Sequence, residues 1–122
     1  MNKLLAIICL TFLVACASKA TLSQKVAQAE AAFTSAVSII NDARRPCVLK
    51  SEDDPACLIK AELYVELAPI VHKGDGALDK AKAFAATNQL NEGETWLETA
   101  KRALTDINTY IDPIKAALGI GG

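Results

Sequence analysis

Three long segments of this sequence repeat apolar residues at alternating steps of three and four, and this spacing constrains the fold more than any other feature. It places the apolar side chains along one stripe of an amphipathic α-helix. No segment sustains the alternation of apolar and polar residues that is typical of a half-buried strand. Helices joined by short loops pack as antiparallel neighbours. The sequence therefore predicts an all-α fold, a three-helix up-down-up bundle of long amphipathic helices.

The first segment is predicted to begin after Thr21, which can form a capping box with Gln24. It is predicted to end near Arg44 and Arg45, because Pro46 disfavours helical geometry in the residue before it. Its apolar stripe comprises Leu22, Val26, Ala29, Phe33, Ala36 and Ile40.

The second segment is predicted to begin at Asp54-Pro55, since an N-capping residue followed by proline is a strong helix-start signal. Its stripe comprises Ile59, Leu63, Leu67, Ile70, Gly74, Ala77, Ala81 and Phe84. The stripe keeps its phase through Pro69 and the glycines that follow. We therefore favour one helix over about residues 55–87, kinked near 69–76, over two helices that are split at 74–76. The small residues in its second half allow a neighbouring helix to approach closely.

The third segment is predicted to begin at Asn91, which with Glu94 gives another capping signal. Its stripe comprises Leu97, Ala100, Leu104, Ile107, Ile111, Ile114 and Leu118. Trp96, Ala103 and Tyr110 widen this stripe on one side. Two interpretations of Trp96 and Tyr110 stay open: they fill the core where alanine leaves room, or they form an aromatic patch that contacts a partner protein.

The first fifteen residues have the layout of a secretory signal peptide. A positive charge at Lys3 precedes an apolar run, and a small residue, Ala15, stands just before Cys16. A transmembrane helix is the competing interpretation, but spanning a bilayer takes about 20 apolar residues and this run is shorter. We expect residues 1–15 to be removed.

Leu13-Val14-Ala15-Cys16 resembles the lipobox of bacterial lipoproteins, in which leucine, a small or aliphatic residue and alanine or glycine precede the cysteine. The resemblance covers only the signal region. It implies cleavage between Ala15 and Cys16, a diacylglycerol on the Cys16 thiol and a fatty acid such as palmitate on the freed amine. Two or more acyl chains give stable attachment to a membrane. An ordinary cleaved signal peptide with a chance cysteine is the alternative.

The resemblance also implies a location and a domain organisation. Residues 16–122 are expected to form a lipid-anchored helical-bundle domain in the cell envelope, facing the periplasm. Ala17 follows the cysteine where an aspartate would imply retention at the inner membrane, so the resemblance favours the outer membrane.

The mature chain of 107 residues has the size of one domain, and with twelve basic against fourteen acidic residues it carries a formal charge of −2. It lacks the basic stripe or aromatic platform of a nucleic-acid-binding protein. Cys47 and Cys57 remain after processing, an even number in an exported chain, which favours a structural disulfide. A redox pair would usually have the Cys-x-x-Cys spacing, and His72 alone cannot complete a zinc site with them.

Candidate catalytic residues are few. His72 is the only histidine and lies off the apolar stripe, while Glu62 and Glu66 are one helical turn apart without a partnering histidine. We therefore expect no enzymatic activity, no metal and no cofactor. The leading hypothesis is a structural or protein-interaction module that docks on an envelope protein, of a type also found among phage and prophage lipoproteins. The alternatives are a bundle that binds a lipid or another apolar ligand, and a lysis accessory protein that perturbs membranes.

Overall fold

The structure, a computed structural model, describes residues 21–119, which form three helices. These are α1 (Leu22–Leu49), α2 (Ala61–Ala86) and α3 (Leu90–Ala117). Each helix packs against the other two, and this part of the chain contains no strand. The predicted all-α three-helix bundle is therefore confirmed. None of the described helices is long and apolar enough to span a bilayer.

The first helix begins where the sequence predicts and ends later. Thr21 Oγ1 accepts a hydrogen bond from the Gln24 amide at 3.2 Å, and Gln24 Oε1 accepts one from the Thr21 amide at 3.0 Å, so the capping box is confirmed. The predicted end near Arg45 is wrong, because α1 continues through Pro46 to Leu49. In the last turn a proline removes only one helical hydrogen bond. This turn is also fastened to the following loop by a disulfide bond at Cys47.

The predicted start of the second helix at Asp54-Pro55 is also wrong. Asp54 Oδ1 accepts a hydrogen bond from the Ala56 amide at 2.8 Å, and the Cys57 amide donates to the Asp54 carbonyl at 2.9 Å. The dipeptide therefore initiates a turn, which the same residue types also favour. The helix begins only at Ala61, and from there it is one continuous helix, as we favoured, with Pro69, Gly74 and Gly76 inside it.

The third helix begins one residue before the predicted cap. Gln89 occupies the N-cap position without a side-chain hydrogen bond, so Asn91 lies inside α3 and the predicted capping pair with Glu94 is wrong. Asn88 adopts the left-handed conformation, with φ of 60°. Asparagine tolerates this conformation, and it turns the chain so that the Gln89 amide donates to the Phe84 carbonyl at 2.8 Å.

The core follows the three apolar stripes closely. Its largest fully buried side chains are Ile59, Leu67, Ile107 and Ile111. Leu78 is also buried although it lies beside the predicted stripe of α2. In α3 the small side chain of Ala103 is buried whereas Leu104 is only half-buried. Leu118, the last residue of that stripe, is 38% exposed.

Two glycines lie where neighbouring helices leave no room for a side chain. An ideal Cβ placed on Gly74 would lie 2.9 Å from Phe33 Cζ and 3.1 Å from Ala103 Cβ, and closer still to Phe33 Cε2. Gly93 is similarly confined by Leu22. By contrast, nothing lies within 4 Å of a Cβ placed on Gly76. The close approach predicted for the small residues of α2 is therefore found at Gly74.

Candidate functional site

The disulfide lies at the end of the bundle where α1 stops. Cys47, in the last turn of α1, is bonded to Cys57 in the connector to α2, with a Cα–Cα distance of 4.7 Å. Both residues are buried. The predicted structural disulfide is therefore present, and it closes a ring between α1 and the connector. A disulfide of this kind stabilises the fold by restricting the unfolded chain.

A polar cluster reinforces the same loop. Glu52 Oε1 accepts hydrogen bonds from the Ala61 amide at 2.8 Å and from Arg44 Nη1 at 3.3 Å. Arg44 Nη1 also donates to the Ile59 carbonyl at 3.1 Å, and its guanidinium lies 5.2 Å from the ring centroid of Tyr64. The hydrogen bond from the Ala61 amide, followed by the hydrogen bond and charge of Arg44, holds the pKa of the Glu52 carboxyl below its usual value. The cluster ties α1, the connector and the start of α2 together.

The two candidate aromatic residues lie on one side of α3 but far apart along it. Fourteen residues at a rise of 1.5 Å separate Trp96 from Tyr110 by about 21 Å. Trp96 is half-buried against the core, and the Lys80 ammonium lies 4.0 Å from its ring centroid. Tyr110 is 36% exposed. The two rings therefore do not form a single apolar patch, and Trp96 contributes to the packing of the bundle.

Two cationic side chains border an open pocket of about 270 Å³ between α2 and α3. Lys73 from α2 and Arg102 from α3 line it together with Asp106, and Ile70 and Ala103 supply apolar lining. Within residues 21–119, neither Lys73 nor Arg102 forms a salt bridge. The pocket lies between Trp96 and Tyr110 in the α3 sequence.

Two cavities open between α1 and α2, with volumes of about 210 and 290 Å³. They share Val37, Val71 and His72 in their lining, and Phe33 contributes to the larger one. His72, the single histidine, is exposed and lines both cavities. Toward the start of α1, Lys82 forms an ion pair with Glu30, and this hydrogen bond raises the pKa of Lys82.

Among the described residues, the most exposed large apolar side chains lie in the last turn of α1 and near the start of α2. Val48 and Leu49, in the last turn of α1, are 67% and 74% exposed, and Val65, in the second turn of α2, is 70% exposed. We call these three residues the apolar tip. These residues were not predicted as a surface, because the predicted first helix ended before Val48. The one signal in the sequence that could have indicated the apolar tip is Val65, an apolar residue that lies off the apolar stripe of α2.

The paired carboxylates Glu62 and Glu66 lie in the first two turns of α2. Glu62 and Glu66 line an open pocket of about 390 Å³ beside Lys60 and Leu63, and both are exposed. In the part of the chain described, no three His, Cys, Asp or Glu residues are arranged to hold a metal ion. Ala15 and Cys16, the predicted cleavage and lipidation residues, lie outside the described residues. Comparison with protein-family models, curated proteins and solved structures gives no match to this chain.

Proposed function

We propose that this chain is a non-enzymatic lipoprotein, anchored in a bacterial envelope membrane by lipid on Cys16, that contacts an envelope protein from the periplasmic side. The observation that carries the proposal is the lipobox-like sequence Leu13-Val14-Ala15-Cys16, followed five residues later by the N-cap of α1 at Thr21. Cleavage before Cys16 would leave only a short tether between the lipid and the folded bundle.

The disulfide supports an exported location for the proposed lipoprotein. Disulfides persist in oxidising compartments such as the periplasm and are rare in the cytosol. Cys47 and Cys57 are bonded and buried, and their ring fixes the loop that carries the polar cluster of Arg44 and Glu52.

The apolar tip is the proposed contact surface for the partner protein. Val48, Leu49 and Val65 expose apolar surface on a part of the bundle that the disulfide and the polar cluster hold rigid. Rigid apolar residues bind with a lower entropic cost than mobile ones. Because α1 runs from the anchor to this tip over 28 residues, or about 42 Å, the tip is at the opposite end of the bundle from the tether.

The anchor is tested by metabolic labelling with a fatty-acid analogue in the native envelope. Cys16→Ser should abolish labelling and lipoprotein-type processing, whereas Cys9→Ser, a matched cysteine change within the signal segment, should leave both intact. Labelled, membrane-bound Cys16→Ser protein would refute the lipid attachment.

The partner contact is tested by site-specific photo-crosslinking. A crosslinking residue at Val65 should capture one envelope protein in vivo, and the same residue at the exposed Lys101 should not. Equal capture of the same protein at both positions, or none at Val65 and Leu49, would exclude the apolar tip as the contact surface.

A second candidate function, binding of a lipid or another apolar ligand, is supported by the cavities between α1 and α2. Their apolar lining by Phe33, Val37 and Val71 suits an acyl chain, although each cavity is smaller than the 300–1,000 Å³ or so of typical ligand pockets. A fluorescent fatty-acid analogue should then bind saturably to the unmodified protein, and the variant Val37→Arg should lose this binding. Saturable binding by both proteins would place the ligand elsewhere.

A further inference from the structure

We propose that one acyl chain of the protein's own lipid, the chain on the Cys16 amine, lies in a groove between α1 and α2 while the other chains remain in the membrane. The inference rests on the proposed function, because it requires a lipid on Cys16. It goes beyond that function by assigning an acyl-binding site on the bundle, and occupation of this site limits how freely the bundle moves on its tether.

The site consists of the two cavities between α1 and α2, of about 290 and 210 Å³. They adjoin each other, because Val37, Val71 and His72 line both. We call the two together the α1–α2 groove. Along α1 it extends from Phe33 to Asn41, a distance of about 12 Å. A smaller cavity, of about 160 Å³, lies between the groove and the start of α1.

The lining of the groove suits a hydrocarbon chain better than a polar ligand. Its large apolar side chains are all buried or half-buried, and they are Phe33, Val37, Ile40, Leu67 and Val71. Its polar residues, among them Asn41 and His72, are all exposed. Within residues 21–119 no polar or charged side chain is buried, so the inner part of the groove offers no polar side chain to a ligand. An acyl chain requires none.

Binding in the groove competes with insertion of the same acyl chain into the bilayer. Either location removes the chain from water, with a gain proportional to the apolar area buried. Binding in the groove also covers the half-buried side chains of Val37 and Val71, which insertion into the bilayer leaves in contact with water. The diacylglycerol on the Cys16 thiol supplies two further chains, and two chains give stable attachment. The chain on the amine can therefore leave the bilayer without releasing the protein.

The tether is long enough for this chain to enter the groove. Cys16 precedes Thr21, the N-cap of α1, by five residues, which reach at most about 18 Å. Phe33, at the near end of the groove, lies about 18 Å from Thr21 along α1, and Asn41, at the far end, about 30 Å. An acyl chain is as long as half of the hydrocarbon core of a bilayer, which is about 15 Å. The tether thus brings Cys16 to the near end, and the chain then extends over the length of the groove.

The test is photo-crosslinking of the protein's own lipid. Cells are fed a fatty-acid analogue with a photoreactive group near its methyl end, and the mature lipidated protein is reconstituted into vesicles of phosphatidylethanolamine and phosphatidylglycerol. After irradiation, alkaline hydrolysis removes the ester-linked chains, so the crosslinks that remain report the chain on the amine. Mass spectrometry should then find the N-terminal peptide joined to the peptide that contains Val37 or Val71. An isotopically heavy, unlabelled copy in the same vesicles shows whether each crosslink lies within one chain.

The decisive variant is Val37→Arg, which places a charge in the groove and should abolish these crosslinks. Val48→Arg is the matched control, since it makes the same change in α1 at an exposed position outside the groove, and it should retain them. Thr34→Trp fills the larger cavity from an exposed position, so it tests the groove without altering a half-buried residue, and it should also lose the crosslinks. Circular dichroism verifies that the variants are folded.

Three results would overturn the assignment: crosslinks to phospholipid alone, an equal loss of crosslinks in Val48→Arg, or crosslinks only to the heavy copy. The mass of the N-terminal peptide is measured in parallel and reports the lipid alone. Lipidated protein without crosslinks in the groove contradicts only this inference. Absence of lipid on Cys16 contradicts the proposed anchor and this inference together.

Discussion

Replacing Gly74 and Gly76 with alanine, one at a time, separates helix packing from helix propensity. Both glycines lie inside α2, where alanine is favoured over glycine by about 1 kcal/mol. Gly76 faces open space, so Gly76→Ala should raise the free energy of unfolding by up to about 1 kcal/mol. At Gly74 the added methyl overlaps the ring of Phe33, which is only 5% exposed, and is tightly confined by Ala103.

Inserting a methyl group into a well-packed core costs about 1–3 kcal/mol. The gain in helix propensity is common to both variants, so their difference in stability measures the packing cost at Gly74. In a domain of this size a difference of 1 kcal/mol shifts the melting temperature by about 4–8 °C.

Thermal unfolding followed by circular dichroism is the assay. Gly74→Ala should melt below the unmodified protein and Gly76→Ala at or above it. Adding Phe33→Leu should recover part of the loss in Gly74→Ala but not alter the effect of Gly76→Ala, since only the first pair is in contact. If Gly74→Ala proves as stable as Gly76→Ala, the close packing of α2 against α1 and α3 is refuted.

Three further predictions concern stability. Replacing Cys47 and Cys57 with alanine should lower the free energy of unfolding by about 2–4 kcal/mol, and a melting temperature insensitive to reductant would contradict a stabilising disulfide. Ile107→Ala should cost about 2–5 kcal/mol, and Leu104→Ala clearly less because its side chain is only half-buried; the reverse order in urea unfolding would contradict the packing of α3. The pKa of Glu52 is lowered on folding, so its contribution is present above its ordinary value of 4.5 and is lost as the pH falls through the lower folded value. Melting curves of Glu52→Gln and the unmodified protein should therefore converge at acid pH, and a constant gap between them would exclude this linkage.

The sequence by itself determined the fold class, because apolar spacing over three long segments is a property of the whole segment. Phe33, Ile40, Ala77 and Ile107 all lie in the core on the stripes predicted for them. The capping box at Thr21 was also predictable, since its hydrogen bonds involve only residues three apart.

The disulfide was predictable without geometry, from the even number of cysteines left after processing and from the predicted oxidising compartment. Once the predicted signal peptide is set aside, Cys47 and Cys57 are the two cysteines left beside Cys16, and the structure bonds them. Cys16, the predicted site of lipid attachment, lies outside the described residues, and the labelling experiment tests this prediction. The aromatic pair was located correctly on α3, but no pattern in the sequence indicates that Lys80 lies over the ring of Trp96.

Only the tertiary structure decided where α1 ends and α2 begins. Pro46 and Asp54-Pro55 carry local signals that favour a helix boundary, yet Pro46 lies inside the last turn of α1 and Asp54-Pro55 lies in a turn of the connector. The disulfide holds the last turn of α1 in place, and Arg44 and Glu52 bind backbone groups on both sides of the boundary. A local preference of about 1 kcal/mol is readily outweighed by such contacts.

The surfaces that carry the proposals were likewise decided by packing. Val37 and Val71 are separated by more than thirty positions in the chain, and they meet at one groove because α1 and α2 are antiparallel neighbours. The apolar tip becomes visible only when α1 extends past Pro46 and exposes Val48 and Leu49. Periodicity identifies which side of a helix is buried, but the relative placement of two helices depends on contacts between them, and these are not contained in either segment alone.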